Sequence, residues 1–159
     1  MQVEFADPSR GQPSRFEMRI GDYMKALDLD DAGRHSLWAR IGSHKLLLGR
    51  TVKDVFLDNG TAQRSCGSKG DLWIFTSDSV CRHRDMATDT EFEFIALRDV
   101  RSVSLIAHGS NMFSVSPHSQ MSMRIAFDGQ KAAILSADGT NCLYLLIMFR
   151  KYFSRRMAP

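Results

Sequence analysis

The feature that most constrains this chain is a change in the spacing of its apolar residues at Asn59-Gly60. Upstream, Phe16, Ile20, Tyr23, Met24 and Leu27 recur at i, i+4, i+7, i+8 and i+11, which is one face of a 3.6-residue period. Downstream the period is 2. A helical period cannot hide its apolar residues as a strand, nor an alternating one as a helix. The chain is therefore expected to place helices first and strands afterwards.

Residues 1–15 hold Pro8, Gly11 and Pro13 and read as a flexible lead-in. Residues 16–58 read as a helical extension. After the first helix, Asp30 and Asp31 are candidate N-caps for a short second one carrying Leu37, Trp38 and Ile41. Ser43 is a candidate cap for a third, with Leu47, Leu48, Val52, Val55 and Phe56 on its buried side and Gly49 interrupting it. Asn59-Gly60 marks the turn out of this region.

From there, residues 59–159 read as about seven antiparallel strands closed by a helix. Asp71-Leu-Trp-Ile-Phe-Thr76 is aromatic and β-branched, and Ser77-Asp78 turns it into a return strand, Ser79 to Arg84. Glu91-Phe92-Glu93-Phe94 alternates charge and ring as a half-buried strand does, and Arg101 to Ile106 alternates Ser with Val and Leu. Residues 109–120 read as a polar loop. Met121, Met123, Ile125 and Phe127 share one strand face, Asp128-Gly129 is a hairpin turn, and Lys131 to Ser136 is the return. Thr140 is a candidate N-cap for a last helix, Cys142 to Phe153. Strands followed by a helix, with short turns between, predict an α+β fold and not a doubly wound sheet.

That last helix has too much apolar surface. Cys142, Leu145, Leu146, Phe149, Tyr152 and Phe153 form a stripe that can cover the strands, yet Leu143, Tyr144, Ile147 and Met148 lie on its other sides. A second cover is required, either the N-terminal helices or another subunit. Tyr144, Ile147, Met148, Lys151 and Tyr152 are accordingly the candidate interface residues.

Residues 56–153 resemble the bacterial pleckstrin-homology-like (PH-like) family. The resemblance is carried by Phe56-Leu-Asp-Asn-Gly60, by Gly70-Asp-Leu-Trp-Ile-Phe-Thr76 with its short turn into Ser79-Val80, and by Phe94-Ile-Ala-Leu-Arg-Asp-Val-Arg-Ser-Val103. The Met121–Ser136 hairpin and the terminal helix complete it. It implies a strongly bent antiparallel barrel of about seven strands, open at one end and plugged by the C-terminal helix. It further implies a binding or assembly module and not an enzyme, since a fold alone does not specify a reaction.

Composition narrows the classes. With 43% apolar and 25% charged residues the chain is neither fibrous nor disordered. A net charge of +3 is too small to announce a nucleic-acid partner, and none is expected. The first ten residues lack the charged and apolar regions of a secretory signal, and the longest apolar run, Cys142 to Phe149, is only eight residues. Cys66, Cys81 and Cys142 are odd in number and widely spaced, which reads as free thiols in a reducing, cytoplasmic setting. No phosphate-loop or dinucleotide signature is present, and no cofactor or metal is expected.

Few residues invite a chemical role. Arg82 and Arg84 share a strand face, with Lys69 on the preceding segment. Guanidinium forks so placed can bind phosphate, although alternating polar residues are ordinary on a solvated face. Arg150, Lys151, Arg155 and Arg156 suit the end of a helix, and with Tyr152 and Phe153 among them they could make weak contact with an anionic membrane. Cys66 in Ser65-Cys-Gly-Ser68 superficially resembles a hydrolase nucleophile, but no histidine stands in a signature relation to it. His108 and His118 flank the polar loop without metal-ligand spacing. The leading expectation is a non-enzymatic module that binds a protein partner or a second copy of itself. The 109–120 loop, the N-terminal helices and exposed sheet edges would add to its contact surface.

Overall fold

The computed structural model describes residues 14–58, 71–85, 88–109, 118–129 and 131–154. Helix α1 (Arg15–Ala26) starts at a capping box: Ser14 Oγ accepts from the Glu17 amide at 3.2 Å while Glu17 Oε2 accepts from the Ser14 amide at 2.9 Å. Its stripe of Ile20, Tyr23 and Met24 is buried. Helix α2 (Asp31–Leu48) is capped by Asp30, whose Oδ1 accepts from the Gly33 amide at 2.7 Å.

Two expectations for this region need correction. The second and third helices are one. Ser43 does not start a helix; its hydroxyl donates to the Ala39 carbonyl at 3.0 Å, which satisfies it inside a continuous helix. The helix stops at Gly49, whose φ of 58° is the left-handed conformation a C-terminal glycine permits. Beyond it, Val55 and Phe56 are not helical but belong to strand β1 (Asp54–Leu57). Val-Phe-Leu suits a strand as well as a helix, and the neighbouring edge of β2 (Leu72–Phe75) supplies the ladder that decides between them.

Strands β1, β2, β3 (Ser79–Asp85) and β4 (Thr90–Ala96) form an antiparallel four-stranded meander. A one-turn 3-10 helix, Leu97–Asp99, leads into β5 (Val100–His108), β6 (Gln120–Phe127) and β7 (Ala133–Asp138), a second antiparallel sheet of three strands. The β6–β7 turn contains Gly129 at φ 67°, as the Asp-Gly pair predicts, but β7 starts two residues later than Lys131 and runs on to Asp138. The chain is thus α+β, with seven strands in two antiparallel sheets and a helix after them; among the described residues no ladder joins the sheets into a closed barrel.

Helix α3 (Asn141–Met148) continues through a wider π-helical turn, Phe149–Phe153. Thr140 precedes it, but its side chain makes no capping hydrogen bond. No helix among the described residues is long and apolar enough to cross a membrane.

Two cores result. Phe56, Trp73, Phe75, Val80, Ile95 and Leu97 meet Met121, Met123, Ile125 and Leu135 of the second sheet, with Cys142, Leu145, Met148 and Phe153 closing over them. On the opposite face of the first sheet, Val55, Leu57, Leu72 and Ile74 pack under Ile20, Tyr23, Met24, Leu37 and Ile41 of α1 and α2. Strands β1 and β2 of the first sheet are therefore covered on both faces. That explains why β1 and β2 are buried at every position instead of alternating, as a sandwiched strand must be. Phe94, expected to be an inward ring, is 51% exposed.

Candidate functional site

Helix α3 crosses beside β1, and α1 lies against the same strand, so the two helices enclose a groove with β1 at its base. Arg19, Asp22 and Tyr23 come from α1, Asp54 and Val55 from β1, and Tyr144, Ile147, Met148 and Lys151 from α3 and its π-helical turn. The last four are spaced i, i+3, i+4 and i+7, which is one face of a helix. The groove has a volume of about 260 Å³ and mostly apolar walls, with Arg19, Lys151 and Asp22 at its rim. The N-terminal helices thus supply part of the second cover that the sequence demands. The Tyr23 and Tyr144 rings meet at 4.5 Å between centroids.

Two polar knots hold these elements in place. At one end the Tyr23 hydroxyl donates to Asn141 Oδ1 at 2.8 Å and accepts from the Leu57 amide at 2.9 Å. Asn141 Nδ2 in turn donates to the Leu57 carbonyl at 2.9 Å, closing a buried ring that joins α1, β1 and α3. At the other end Asp54, 8% exposed, accepts from the Tyr152 hydroxyl and from Lys151 Nζ at 3.3 Å, with Arg19 Nη1 at 3.6 Å. Burial pushes both the Tyr23 and the Tyr152 phenols well above the ordinary range; beside Tyr152 the Asp54 carboxylate adds to the rise. Both hydroxyls keep their protons at neutral pH and act as donors.

Of the candidate interface residues, Tyr144, Ile147, Met148 and Lys151 line this groove and Tyr152 does not. Met148 is 4% exposed and packs in the inner core, so its side chain is not offered to a partner in this chain. The Tyr152 ring is stacked on Phe75 at 4.5 Å and its hydroxyl is tied to Asp54, which makes it a fastening of the last turn more than a contact residue. Tyr144 and Ile147 remain half-buried at the groove, and Lys151 is exposed beside it. Leu143, on the outer side of α3, is also exposed.

The basic strand pair, Arg82 and Arg84, shares one carboxylate. Arg82 Nε donates to Asp71 Oδ2 at 2.8 Å and its Nη2 lies 2.6 Å from the same oxygen, while the guanidinium sits 5.1 Å over the Trp73 ring. Arg84 Nε stands 3.5 Å from that carboxylate. Asp71 is buried, so both forks are oriented by an internal anion. Lys69, Cys66, Arg155 and Arg156 lie outside the described residues, as does most of the 109–120 loop. His108 Nε2 is 3.1 Å from Ser122 Oγ on the outer face of the second sheet. The thiols of Cys81 and Cys142 are free and buried; burial first, and Glu93 next, push that of Cys81 up to about 12.

Sequence reading missed Arg19, Asp22, Asp54 and Asn141, and took Tyr23 only as core. A lone acid inside Val52–Leu57 and an asparagine heading an eight-residue apolar run were the available signals. Comparison with known protein families finds no family that matches this chain, and comparison with curated proteins finds no significant match.

Proposed function

We propose that this chain is a non-enzymatic, PH-like binding module that takes a segment of a protein partner in the α1–α3 groove. The order of elements supports the fold assignment: seven antiparallel strands are followed by a helix that closes over their core, and the family resemblance implies a bent barrel of about seven strands plugged by such a helix. The observation that carries the function is the groove itself, apolar along its length and rimmed by both signs of charge. Mixed charge around an apolar trough suits a peptide with an apolar side chain flanked by polar ones. It does not suit a bare phosphate, which needs unopposed cations. Free thiols at Cys81 and Cys142 agree with a cytoplasmic setting.

The test uses the full chain with a photoreactive residue at Asp22, on the exposed rim, irradiated in the cells that make it. A discrete adduct with one protein is expected, and Ile147→Glu should abolish it while circular dichroism shows an unchanged fold. No adduct, or an adduct that Ile147→Glu leaves intact, overturns the proposal.

A further inference from the structure

Among the described residues four strands stand at sheet edges, and three of them are occupied or guarded. The β1 edge is bound by Tyr23 and Asn141, with Arg19 Nη2 donating to the Lys53 carbonyl at 2.8 Å just before the strand. The β7 edge meets Asp58, whose Oδ1 accepts from the Ser136 amide at 3.3 Å. The β4 edge alternates Glu91 and Glu93 with its rings, and charge on an edge discourages further pairing. The fourth edge, β5, is nine residues long and pairs only with β6 among the described strands. From Ser102 to Ala107 it holds no Lys, no Pro and no charge.

The burial of β5 marks the same edge as incomplete. The inward residues Met121, Met123 and Ile125 of β6 and Ala133, Leu135 and Ala137 of β7 are buried. The corresponding residues of β5, Val103, Leu105 and Ala107, are only half-buried. Val103 and Leu105 pack against the inner core yet keep part of their surface open.

We infer that this edge takes a second copy of this chain, with the two β5 strands pairing antiparallel about a two-fold axis at Leu105. The register argues for self-pairing. Arg101 is displaced by the irregularity between Val100 and Ser102 and is tied to Asp128, so the regular ladder is Ser102–His108. Folding that segment on itself sets Leu105 against Leu105 of the partner subunit and Val103 against the partner's Ala107, all on the inward side. Outward, Ser104 meets the partner's Ile106, itself 46% exposed, and Ser102 meets the partner's His108. No like charges face each other, and because the side-chain period is 2 this register keeps every inward residue inward. The product is a six-stranded sheet running through both subunits. The α1–α3 groove takes no part in it.

Sedimentation velocity of the full chain between about 10 and about 300 µM tests this, since a short ladder belongs to the small-interface class. A concentration-dependent doubling of mass is expected. Leu105→Lys should abolish it by setting two cations across the axis, and the exposed change Ser104→Lys should weaken it at least tenfold even if the first variant folds poorly. Ile147→Glu should leave it intact, which separates this result from the fate of the groove. Under mild oxidation Leu105→Cys should give a dimer whose cross-link maps by peptide mass spectrometry to position 105 in both chains. A monomer throughout the range, a dimer that survives both lysine substitutions, or a dimer without the 105–105 cross-link overturns the inference.

Discussion

His44 offers the sharpest physical test of the packing between α2 and the first sheet. It sits one turn after Arg40 on α2, fully buried, with its ring centroid 5.7 Å from Phe92, 6.3 Å from Phe94 and 6.3 Å from His83. Neither ring nitrogen has a hydrogen-bond partner among the described residues. Arg40, the charged neighbour, donates instead to the His83 carbonyl at 2.9 Å. Burial, and then the proximity of His83, lower the His44 pKa from 6.5 to about 4. The unfolded chain therefore takes up a proton on this side chain between pH 6.5 and about 4 that the native chain refuses. Stability is lost as pH falls through that window and is unaffected by this group above it. At about 1.4 kcal/mol per unit, the loss across the whole window is about 3 kcal/mol, and about 2.5 kcal/mol by pH ~4.5.

Replacing His44 with Leu removes the titration and breaks no hydrogen bond. Two buried, unsatisfied nitrogens disappear with it, so the variant should be as stable as the parent at pH ~7 or more stable by about 1–2 kcal/mol. Guanidinium unfolding at both pH values, followed by Trp fluorescence, gives the comparison. Parent and variant should diverge by a further ~2.5 kcal/mol at the acid pH in favour of His44→Leu. Equal pH dependence in the two proteins, or a loss above about 1 kcal/mol at neutral pH, would show that the imidazole is either solvated or satisfied, and the reasoning would fail.

The polar knots carry their own expectations. Tyr23→Phe strips the acceptor from the Leu57 amide and the donor from Asn141, and should cost about 2–4 kcal/mol, a fall in Tm of about 5–10 °C by calorimetry. Asn141→Leu should cost a similar amount, and the double variant less than the sum, because both changes open the same ring. Asp71→Asn leaves Arg82 and Arg84 without their shared anion; since Arg82 remains partly exposed, about 2–3 kcal/mol is expected in denaturant unfolding, and a change below ~0.5 kcal/mol would refute the structural role assigned to this cluster.

The buried stripe of α1 and the Asp128-Gly129 hairpin were legible because each is local. What escaped reading depended on partners far away in sequence. β1 carries no alternation, because Val55 and Leu57 face α1 and α2 while Phe56 faces the inner core; an apolar triplet then fits a helix equally well. The continuity of α2 through Gly42-Ser43 depends on the Ser43 hydroxyl finding the Ala39 carbonyl and on an unbroken stripe of Leu37, Ile41 and His44 against the sheet. The ring of Tyr23, Leu57 and Asn141 joins residues more than eighty positions apart, beyond the reach of any spacing argument. The Asp71 cluster was within reach. Once β2 and β3 are read as a hairpin, Leu72 pairs with His83, so Asp71 must fall opposite Arg84 and diagonal to Arg82.

Burial of β1 and β2 on both faces limits where this chain can meet another molecule. Helices α1 and α2 take their outer face and α3 with the second sheet takes their inner one, so none of the rings of β1 and β2 is available for contact. Arg82 and Arg84 of β3 are paired with Asp71, just before β2. Among the described residues, two surfaces outside this closure bear on the proposals above. One is the trough where α1 and α3 meet above β1, and the other is the β5 edge of the second sheet. They lie on different sheets and use different chemistry, side-chain complementarity in the first and backbone pairing in the second. A partner could therefore occupy the trough while the edge joins two copies, and loss of either contact should leave the other in place.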